Sequence, residues 1–371
     1  PPLGLSAAGS RPRWGKRGPE ATLVQDRIIA TVDRFRLLPK VELHRHLEGS
    51  LRLSTMLDIA RRHKIPIPED LIGLSNLVQM QEDESFSFRN FLAKFDTLRL
   101  FYRSPEVIDR ITREAVEDAA GDNVRYMELR FTPVALSRAE RFPLNEVMDW
   151  VTAAAQAAAV EFDMLVRLIP SVNRHESPEL AEQVAWLAAV RQDLGVVGID
   201  LAGNEAEFPS VPFHGIFREA RQAGLHLSIH AGEWGPAANV REAIEHMGAE
   251  RIAHGVRVLD DPSVTALARE RFVPFEVCVT SNYQSGVVPQ AGLHPLPRML
   301  EAGLNVTVNT DDPSVSRTTL GNEYRVVCDD LGISAEGLRA CILAAGEAAF
   351  LSPVDRKDLV RTLKREIPLA S

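Results

Sequence analysis

Two patterns of apolar and polar residues take turns along most of the chain. Short runs rich in β-branched and other apolar residues are each followed by a turn and then by a stretch in which apolar residues recur three and four positions apart, as in an amphipathic helix. The runs that predict strands lie at 40–46, 124–131, 164–171, 196–203, 225–232, 251–256, 274–281 and 305–312. Strands that alternate with helices form parallel sheets, and these eight units predict a closed (β/α)8 barrel, a TIM barrel of the α/β class.

The helical pattern also predicts how the chain is organised around the barrel. Its periodicity is clearest at 104–121 and 144–162, and the long segment between the first two strands predicts a helical insertion after strand 1. Within the insertion, the stretch 88–101 is expected either to pack as an ordinary helix or to supply an apolar lid that excludes water. Residues 1–22 are rich in Pro, Gly and Arg and predict a flexible N-terminal extension, which leaves 23–371 as a single barrel domain.

Composition and charge narrow the class of partner. With a formal charge of −9, the chain lacks the basic excess that binds nucleic acid or an anionic membrane, so we expect a small-molecule substrate. We expect no membrane span and no signal peptide, because no apolar run is long enough for either. Three cysteines, Cys278, Cys328 and Cys341, lack the spacing of a disulfide framework and favour a cytoplasmic location. The oligomeric state is left open.

Histidine and aspartate residues lie at the carboxyl ends of several predicted strands. Strand 1 ends in "VELHRHLEGS", where His44 and His46 are two positions apart and therefore face the same side of a strand. Strand 5 ends near His230, and strand 8 ends in Asp311. Because functional groups of such barrels gather at the carboxyl ends of the strands, these side chains are expected to bind a metal such as zinc with water in an open position. Imidazole ligands suit iron, cobalt and nickel as well.

Three further polar residues are expected to act beside this metal. Glu233, in "HAGE", would lie close to the metal, where an apolar substrate is expected to raise the pKa of its carboxyl and let it donate a proton. His254, near the end of strand 6, is expected either to take a proton from a metal-bound water or to orient that water. Asp312 could accept a substrate N–H or hold the water.

Several separate motifs between about 38 and 353 resemble the adenosine deaminase family of zinc hydrolases. They are "PKVELHRHLEG", "FLAKFD", "YMELRFTP", "DLAGNE", "HAGE", "RIAHGV", "FEVCVTSN" and "NTDDP". The resemblance implies one zinc ion per chain, bound by His44, His46, His230 and Asp311. It also implies zinc-dependent hydrolytic deamination of adenosine and 2′-deoxyadenosine to inosine and ammonia, a reaction of purine nucleoside salvage in which a metal hydroxide attacks purine C6.

The resemblance extends to individual contacts with the purine. Glu233 matches the proton donor to N1, and His254 and Asp312 match the groups that handle the attacking hydroxide. Asp312 is also matched to a contact with N7, and the backbone of Gly203 to a contact with N3. The residues that match the apolar lid beside the base are Phe91, Leu92 and Phe95.

One residue departs from the family pattern and keeps alternative substrates open. The family usually has "HLDG", whose Asp contacts the ribose 5′-hydroxyl, whereas this chain has Glu48. The same chemistry on a 5′-modified adenine nucleoside such as 6-aminodeoxyfutalosine, or on free adenine, is therefore an alternative. Two more distant hypotheses are a two-metal amidohydrolase, which commonly needs a lysine that "VVGIDLAG" lacks, and an inactive binding barrel, which we would expect to lack Glu233 or a metal ligand.

Overall fold

Within residues 34–367, which the computed structural model describes, eight parallel strands pair in the order in which they occur along the chain. The extension predicted at 1–22 lies outside the described residues. The strands are Lys40–His46 (β1), Val124–Phe131 (β2), Leu165–Asn173 (β3), Gly198–Ala202 (β4), His226–Ala231 (β5), Arg251–His254 (β6), Pro274–Val277 (β7) and Asn305–Val308 (β8).

The barrel closes where the segment after β8 meets β1. The backbone N–H of Asp311 donates to the carbonyl of His44 at 2.9 Å, and the N–H of His46 donates to the carbonyl of Asp311 at 2.8 Å. Arg45 and Asp311 form the corresponding parallel bridge. The predicted (β/α)8 barrel is confirmed, and its closure places two residues from the start of the barrel beside one from its end.

Helices surround the sheet, and four of them, α1 to α4, form the predicted insertion after β1. No helix in this described part of the chain is long and apolar enough to cross a membrane. The helices are Leu53–His63 (α1), Leu71–Val78 (α2), Phe88–Leu98 (α3), Pro105–Gly121 (α4), Pro133–Arg138 (α5), Leu144–Glu161 (α6), Pro178–Ala189 (α7), His214–Gln222 (α8), Ala237–Glu242 (α9), Pro262–Glu270 (α10), Val279–Gln284 (α11), Leu296–Glu301 (α12), Pro313–Ser316 (α13), Leu320–Arg325 (α14), Ala335–Ala348 (α15) and Pro353–Glu366 (α16).

The last two strands are shorter than the sequence predicts. Strand β7 stops at Val277 and the chain turns into α11, where the Glu323 carboxylate accepts hydrogen bonds from the backbone N–H and the hydroxyl of Thr280. Strand β8 stops at Val308, and Asp311 then takes a left-handed backbone conformation with a φ of 64°. The predicted bounds 274–281 and 305–312 are therefore wrong at their carboxyl ends, although the polar residues there still point into the barrel mouth.

The interior of the barrel contains a buried ionic network. Arg130 of β2 and Arg251 of β6 contact the carboxylates of Glu128, Asp200 and Glu276. Arg130 lies 3.1 Å from Asp200, and Arg251 lies 2.5 Å from Glu276. A buried charge is stable only when it is paired, and here every guanidinium meets at least two carboxylates. The network extends to the mouth of the barrel, where two of its carboxylates also contact histidines.

Candidate active site

The side chains predicted from the strand ends come together at the carboxyl end of the barrel. They border a pocket with about 650 Å³ of free space, part of which is open to solvent. His44 is completely buried beneath the pocket. The predicted residues that line the pocket itself are His46, Glu48, Phe91, Leu92, Phe95, Gly203, His230, Glu233, His254, Asp311 and Asp312. The structure therefore brings these predicted residues together around one pocket, and the role of each side chain remains a prediction.

Three of the four predicted metal ligands converge closely. The Nε2 atoms of His44 and His46 are 3.2 Å apart, and they lie 3.1 Å and 3.4 Å from Asp311 Oδ1. Zinc bonds of about 2.0–2.1 Å in a tetrahedral site put neighbouring ligand atoms about 3.3 Å apart. The fourth, His230, has its ring centroid 4.8 Å from that of His44. The donor atoms of His44, His46 and Asp311 thus fit around an ion of this size, and the His230 ring lies beside them.

Hydrogen bonds on the far side of two histidine rings support metal binding. His44 Nδ1 lies 3.1 Å from Glu276 Oε2, and His230 Nδ1 lies 2.9 Å from Asp200 Oδ1. Since a carboxylate only accepts, each Nδ1 donates, which leaves Nε2 as the nitrogen through which either ring would bind a metal. Burial lowers the pKa of His46 to about 3, which keeps that ring neutral. A metal ion between the two Nε2 atoms, which are 3.2 Å apart, would accept a lone pair from each ring when the His46 proton lies on Nδ1.

The distances alone do not select a unique set of ligands. Potential ligand atoms of His44, His230, His254 and Asp311 all lie within 4.8 Å of one another, as do those of His46, Asp200 and His230. Asp200 is already held by the ionic network and by His230. His254 is therefore close enough to bind a metal. Whether it counts among the metal ligands depends on the hydrogen bonds that its two ring nitrogens make.

Glu233 is buried at the pocket wall and is suited to donate a proton. Burial raises the pKa of its carboxyl well above the ordinary value, and the carboxylates of Asp311 and Glu205 raise it further. This environment favours the protonated form of the carboxyl. Glu233 Oε2 lies 3.7 Å from His254 Nε2, so the acid is close to the histidine cluster.

The loop that contains Glu233 is held by Glu205, to which the sequence analysis assigned no role. The Glu205 carboxylate accepts hydrogen bonds from the backbone N–H groups of residues 232–235 at 2.6–3.0 Å. It also accepts one from the side-chain amide of Asn239 at 2.8 Å. These bonds keep the "HAGE" turn in one conformation. Glu205 is visible in the sequence as the final acid of "DLAGNE". Nothing in the sequence shows that backbone N–H groups about thirty positions away need its carboxylate as an acceptor.

Asp312 is buried beside Gly49 and points into the pocket. Burial and then the neighbouring Asp311 carboxylate raise the pKa of Asp312 well above its ordinary value. Among the described residues, Asp312 Oδ1 has no hydrogen-bond partner. A Cβ atom at Gly49 would lie 1.9 Å from that oxygen, so the glycine of "HLEG" leaves room for Asp312.

Glu48 lies in the pocket wall together with Arg99, which the sequence analysis did not identify. Glu48 Oε1 accepts the backbone N–H of Thr132 at 2.6 Å. Its other oxygen, Oε2, is buried and has no partner within residues 34–367. Burial raises the pKa of Glu48. The free oxygen and the Arg99 guanidinium are the groups available here to a polar substituent of a ligand.

An apolar wall formed by α3 covers part of the pocket. The rings of Phe91 and Phe95 have centroids 6.2 Å apart, and both line the pocket with Leu92. Phe88, on the first turn of α3, packs against Trp234 of the "HAGE" turn with ring centroids 5.6 Å apart. The insertion after β1 therefore contacts the loop that holds Glu233.

Three pocket residues adopt a left-handed backbone conformation. Their φ angles are 90° at Gly203, 59° at His254 and 64° at Asp311. This conformation is easily accessible to glycine but costs other residues roughly 1–2 kcal/mol. The strain at His254 and Asp311 is concentrated in the site, where surrounding hydrogen bonds hold the backbone in place.

A metal site beside a neutral carboxylic acid can activate water and protonate the group that the water attacks. On a (β/α)8 barrel, with both capacities at the carboxyl ends of the strands, this arrangement defines a metal-dependent hydrolase. The chain belongs to the adenosine deaminase family, because the family model, described as adenosine deaminase, matches residues 39–366.

Individual relatives agree with this family membership. The chain is 35% identical over 330 residues to an adenosine deaminase of Klebsiella pneumoniae subsp. pneumoniae, an alignment that covers 88% of this chain and 98% of the relative. Its fold is similar to that of an adenine deaminase from Arthrobacter aurescens, with a TM-score of 0.82, 28% identity and coverage of 88% and 98%. An amidohydrolase from Burkhoderia ambifaria with bound Zn gives a TM-score of 0.83, 28% identity and coverage of 91% and 92%. The resemblance stated from the motifs is confirmed.

Proposed function

We propose that the protein catalyses the hydrolytic deamination of adenosine and 2′-deoxyadenosine to inosine and ammonia. The observation that carries the proposal is Glu233, a buried carboxyl with a raised pKa beside the histidine cluster. Membership of the family and the names of the curated relatives support this reaction. A cytoplasmic location and a role in purine nucleoside salvage belong to the same proposal.

Zinc is the proposed metal, with one ion per chain held by His44, His46, His230 and Asp311. The mixed imidazole and carboxylate donors are a common zinc set, and the Burkhoderia neighbour contains zinc. A bound zinc ion supplies a water whose pKa is lowered towards about 7, and hence a nucleophile at neutral pH. Glu276 and Asp200 hold the Nδ1 atoms of two ligand histidines, which directs their Nε2 atoms to the ion.

The remaining residues act on the purine. Glu233 donates its proton to N1, which withdraws electrons from C6 and makes that carbon open to attack. Asp312 keeps its own proton because burial and Asp311 raise its pKa, so its hydroxyl donates to N7, which is an acceptor. The backbone N–H of Gly203 donates to N3. Phe91, Leu92 and Phe95 cover the base and exclude bulk water.

A second candidate substrate follows from the wall that holds Glu48. One oxygen of Glu48 is fixed by the backbone of Thr132, and Arg99 lies on the same wall. This pair suits a 5′ group larger or more polar than a hydroxyl, as in 6-aminodeoxyfutalosine. Free adenine, the substrate in the name of the Arthrobacter neighbour, is a further alternative.

Ammonia release from a panel of substrates tests the proposal. The panel contains adenosine, 2′-deoxyadenosine, adenine and an adenine nucleoside with a bulky 5′ substituent, each with and without a chelator. We expect adenosine and 2′-deoxyadenosine to react fastest and the chelator to stop the reaction. Faster release from the 5′-modified nucleoside or from adenine would support the deamination reaction but show that adenosine is not the preferred substrate. No release from any adenine compound would refute the proposal.

A further inference from the structure

A buried chain of hydrogen bonds leads from His254 away from the pocket. His254 Nδ1 lies 3.0 Å from the side-chain nitrogen of Asn282, in α11. The side-chain oxygen of Asn282 lies 3.3 Å from His294 Nε2. The chain ends where the backbone N–H of Leu296, the first residue of α12, donates to His294 Nδ1 at 3.1 Å. His254, Asn282 and His294 are all buried, so water does not compete for these bonds.

The backbone N–H at the end of this chain determines the direction of every bond in it. Leu296 N–H can only donate, so His294 Nδ1 must accept, and the proton of that ring lies on Nε2. His294 Nε2–H then donates to the oxygen of Asn282, which turns the amide NH2 group towards His254. Burial lowers the pKa of His294 to about 3, which agrees with a neutral ring.

The same reasoning assigns the proton of His254. An amide N–H donates and does not accept, so His254 Nδ1 must carry the lone pair and a neutral His254 carries its proton on Nε2. Nε2 faces the active site, 3.7 Å from Glu233 Oε2 and 3.9 Å from Asp311 Oδ2. His254 therefore presents an N–H group to the site, whereas His44 and His230 donate through Nδ1 and have Nε2 available for a metal.

We propose that Asn282 and His294 are positioning residues that hold His254 in its Nε2–H tautomer. In this tautomer His254 cannot bind the metal through Nε2, although its distances to the other ligands would permit it. It instead donates a hydrogen bond to the oxygen of the attacking water and orients that water. The inference rests on the proposed function for this last role, whereas the tautomer itself is a property of the folded chain.

Nuclear magnetic resonance of the histidine rings tests the tautomer without turnover. The full chain is labelled with 15N-histidine and loaded with zinc, and long-range proton–nitrogen correlations are recorded, with His254→Gln used to assign the signal. We expect Nε2 of His254 to be protonated and Nδ1 unprotonated, which is the reverse of a histidine that binds metal through Nε2. Protonation of Nδ1 in the wild-type protein would overturn the proposal.

Substitution of Asn282 tests the positioning role. Asn282→Asp keeps the shape and can still accept from His294, but its carboxylate accepts where the amide donated. We expect the proton of His254 to appear on Nδ1, kcat to fall about 10- to 100-fold and the bound zinc, measured by atomic emission, to stay at one per chain. An unchanged His254 signal with unchanged kcat would overturn the proposal.

A matched pair at position 294 separates positioning from packing. His294→Gln retains an N–H donor for Asn282, whereas His294→Leu fills the space without one. We expect His294→Gln to retain the wild-type tautomer and most of kcat, and His294→Leu to lose both. Equal losses in the two variants would show that His294 only fills space. Failure of the wild-type protein to release ammonia from adenosine would refute the proposed function but not the tautomer, which the resonance measurement reads directly.

Discussion

Three of the buried carboxyl groups that border the pocket have surroundings that suit them to different tasks. Glu233 sits on a turn fixed by Glu205, and burial near other carboxylates raises its pKa and favours its protonated form. Asp312 has an oxygen without a partner among the described residues and faces the pocket. Glu48 uses one oxygen to accept the N–H of Thr132 and leaves the other for a ligand. A carboxyl group can therefore protonate a substrate, recognise it or orient it, depending on the residues that surround the carboxyl.

Replacing the proton donor tests the first of these tasks. Glu233→Gln keeps the size of the side chain but cannot transfer a proton, so we expect the rate of deamination to fall by about 10²- to 10⁴-fold. We expect the bound metal to remain at one per chain, because Glu233 is not a proposed ligand. Steady-state kinetics and metal analysis on the same preparation check both parts. A Glu233→Gln enzyme with normal turnover would remove the basis of the proposed function.

Glu48 can be tested with a pair of substrates that differ only at the 5′ position. Glu48→Gln keeps the length of the side chain and removes its charge. If Glu48 binds the ribose 5′-hydroxyl, kcat/KM for adenosine falls about tenfold, the effect of losing a charge-assisted hydrogen bond, while 5′-deoxyadenosine is unaffected. Equal losses on both substrates would mean that Glu48 does not contact the 5′ group. A gain on a 5′-modified nucleoside would favour the second candidate substrate.

At the scale of elements, the turn after β5 depends on an acid from the segment after β4. In the wild type, the backbone N–H groups of residues 232–235 share the two carboxylate oxygens of Glu205. Glu205→Gln leaves only one acceptor oxygen, so some of these buried donors lose their partners. We expect the free energy of unfolding to fall by about 1–3 kcal/mol and kcat to fall because Glu233 is misplaced. Urea unfolding and kinetics measure the two effects. Glu207→Gln, which removes an exposed acid two residues later, is the control and should change neither.

The elements predicted best were those whose pattern is local. The strand β1 and its two inward histidines follow from period-two alternation, and its bounds agree with the structure. The final strand ended too late in the prediction, because the left-handed backbone of Asp311 depends on contacts with β1 that are more than two hundred residues away. Glu205 and Asn282 were missed for a similar reason: their partners are backbone N–H groups and a ring nitrogen that only the folded chain brings near.

At the scale of the whole molecule, the metal site joins the first and last strands of the barrel. His44 and His46 lie on β1, and Asp311 follows β8, so a bound ion links the two edges that close the sheet. Binding to the folded state alone stabilises it by about 4 kcal/mol at a free metal concentration 1,000 times Kd. We expect a chelator to lower Tm and added zinc to restore it. His44→Ala should show neither shift, and a normal response in that variant would place the metal elsewhere.

The buried imidazole of His294 makes stability depend on pH. Burial lowers its pKa to about 3, against an ordinary value of 6.5, so the unfolded chain binds a proton between these values and the folded chain does not. Stability from this group is therefore fully present above pH 6.5 and is lost as the pH falls towards 3. At pH 5 the loss is about 2 kcal/mol, since each pH unit below the unfolded pKa contributes about 1.4 kcal/mol.

His294→Gln removes the titrating group and keeps the donor to Asn282. We expect the decrease in the free energy of unfolding between pH 7.5 and pH 5 to be about 2 kcal/mol smaller in His294→Gln than in the wild type, because the other titrating groups are common to both. Urea unfolding at the two pH values, with zinc present throughout, measures this difference. An equal decrease in both proteins would mean that His294 is protonated in the folded state. Its Nδ1 could then not accept from the Leu296 N–H. The hydrogen-bond directions assigned from Leu296 through His294 and Asn282 to His254 would then be wrong.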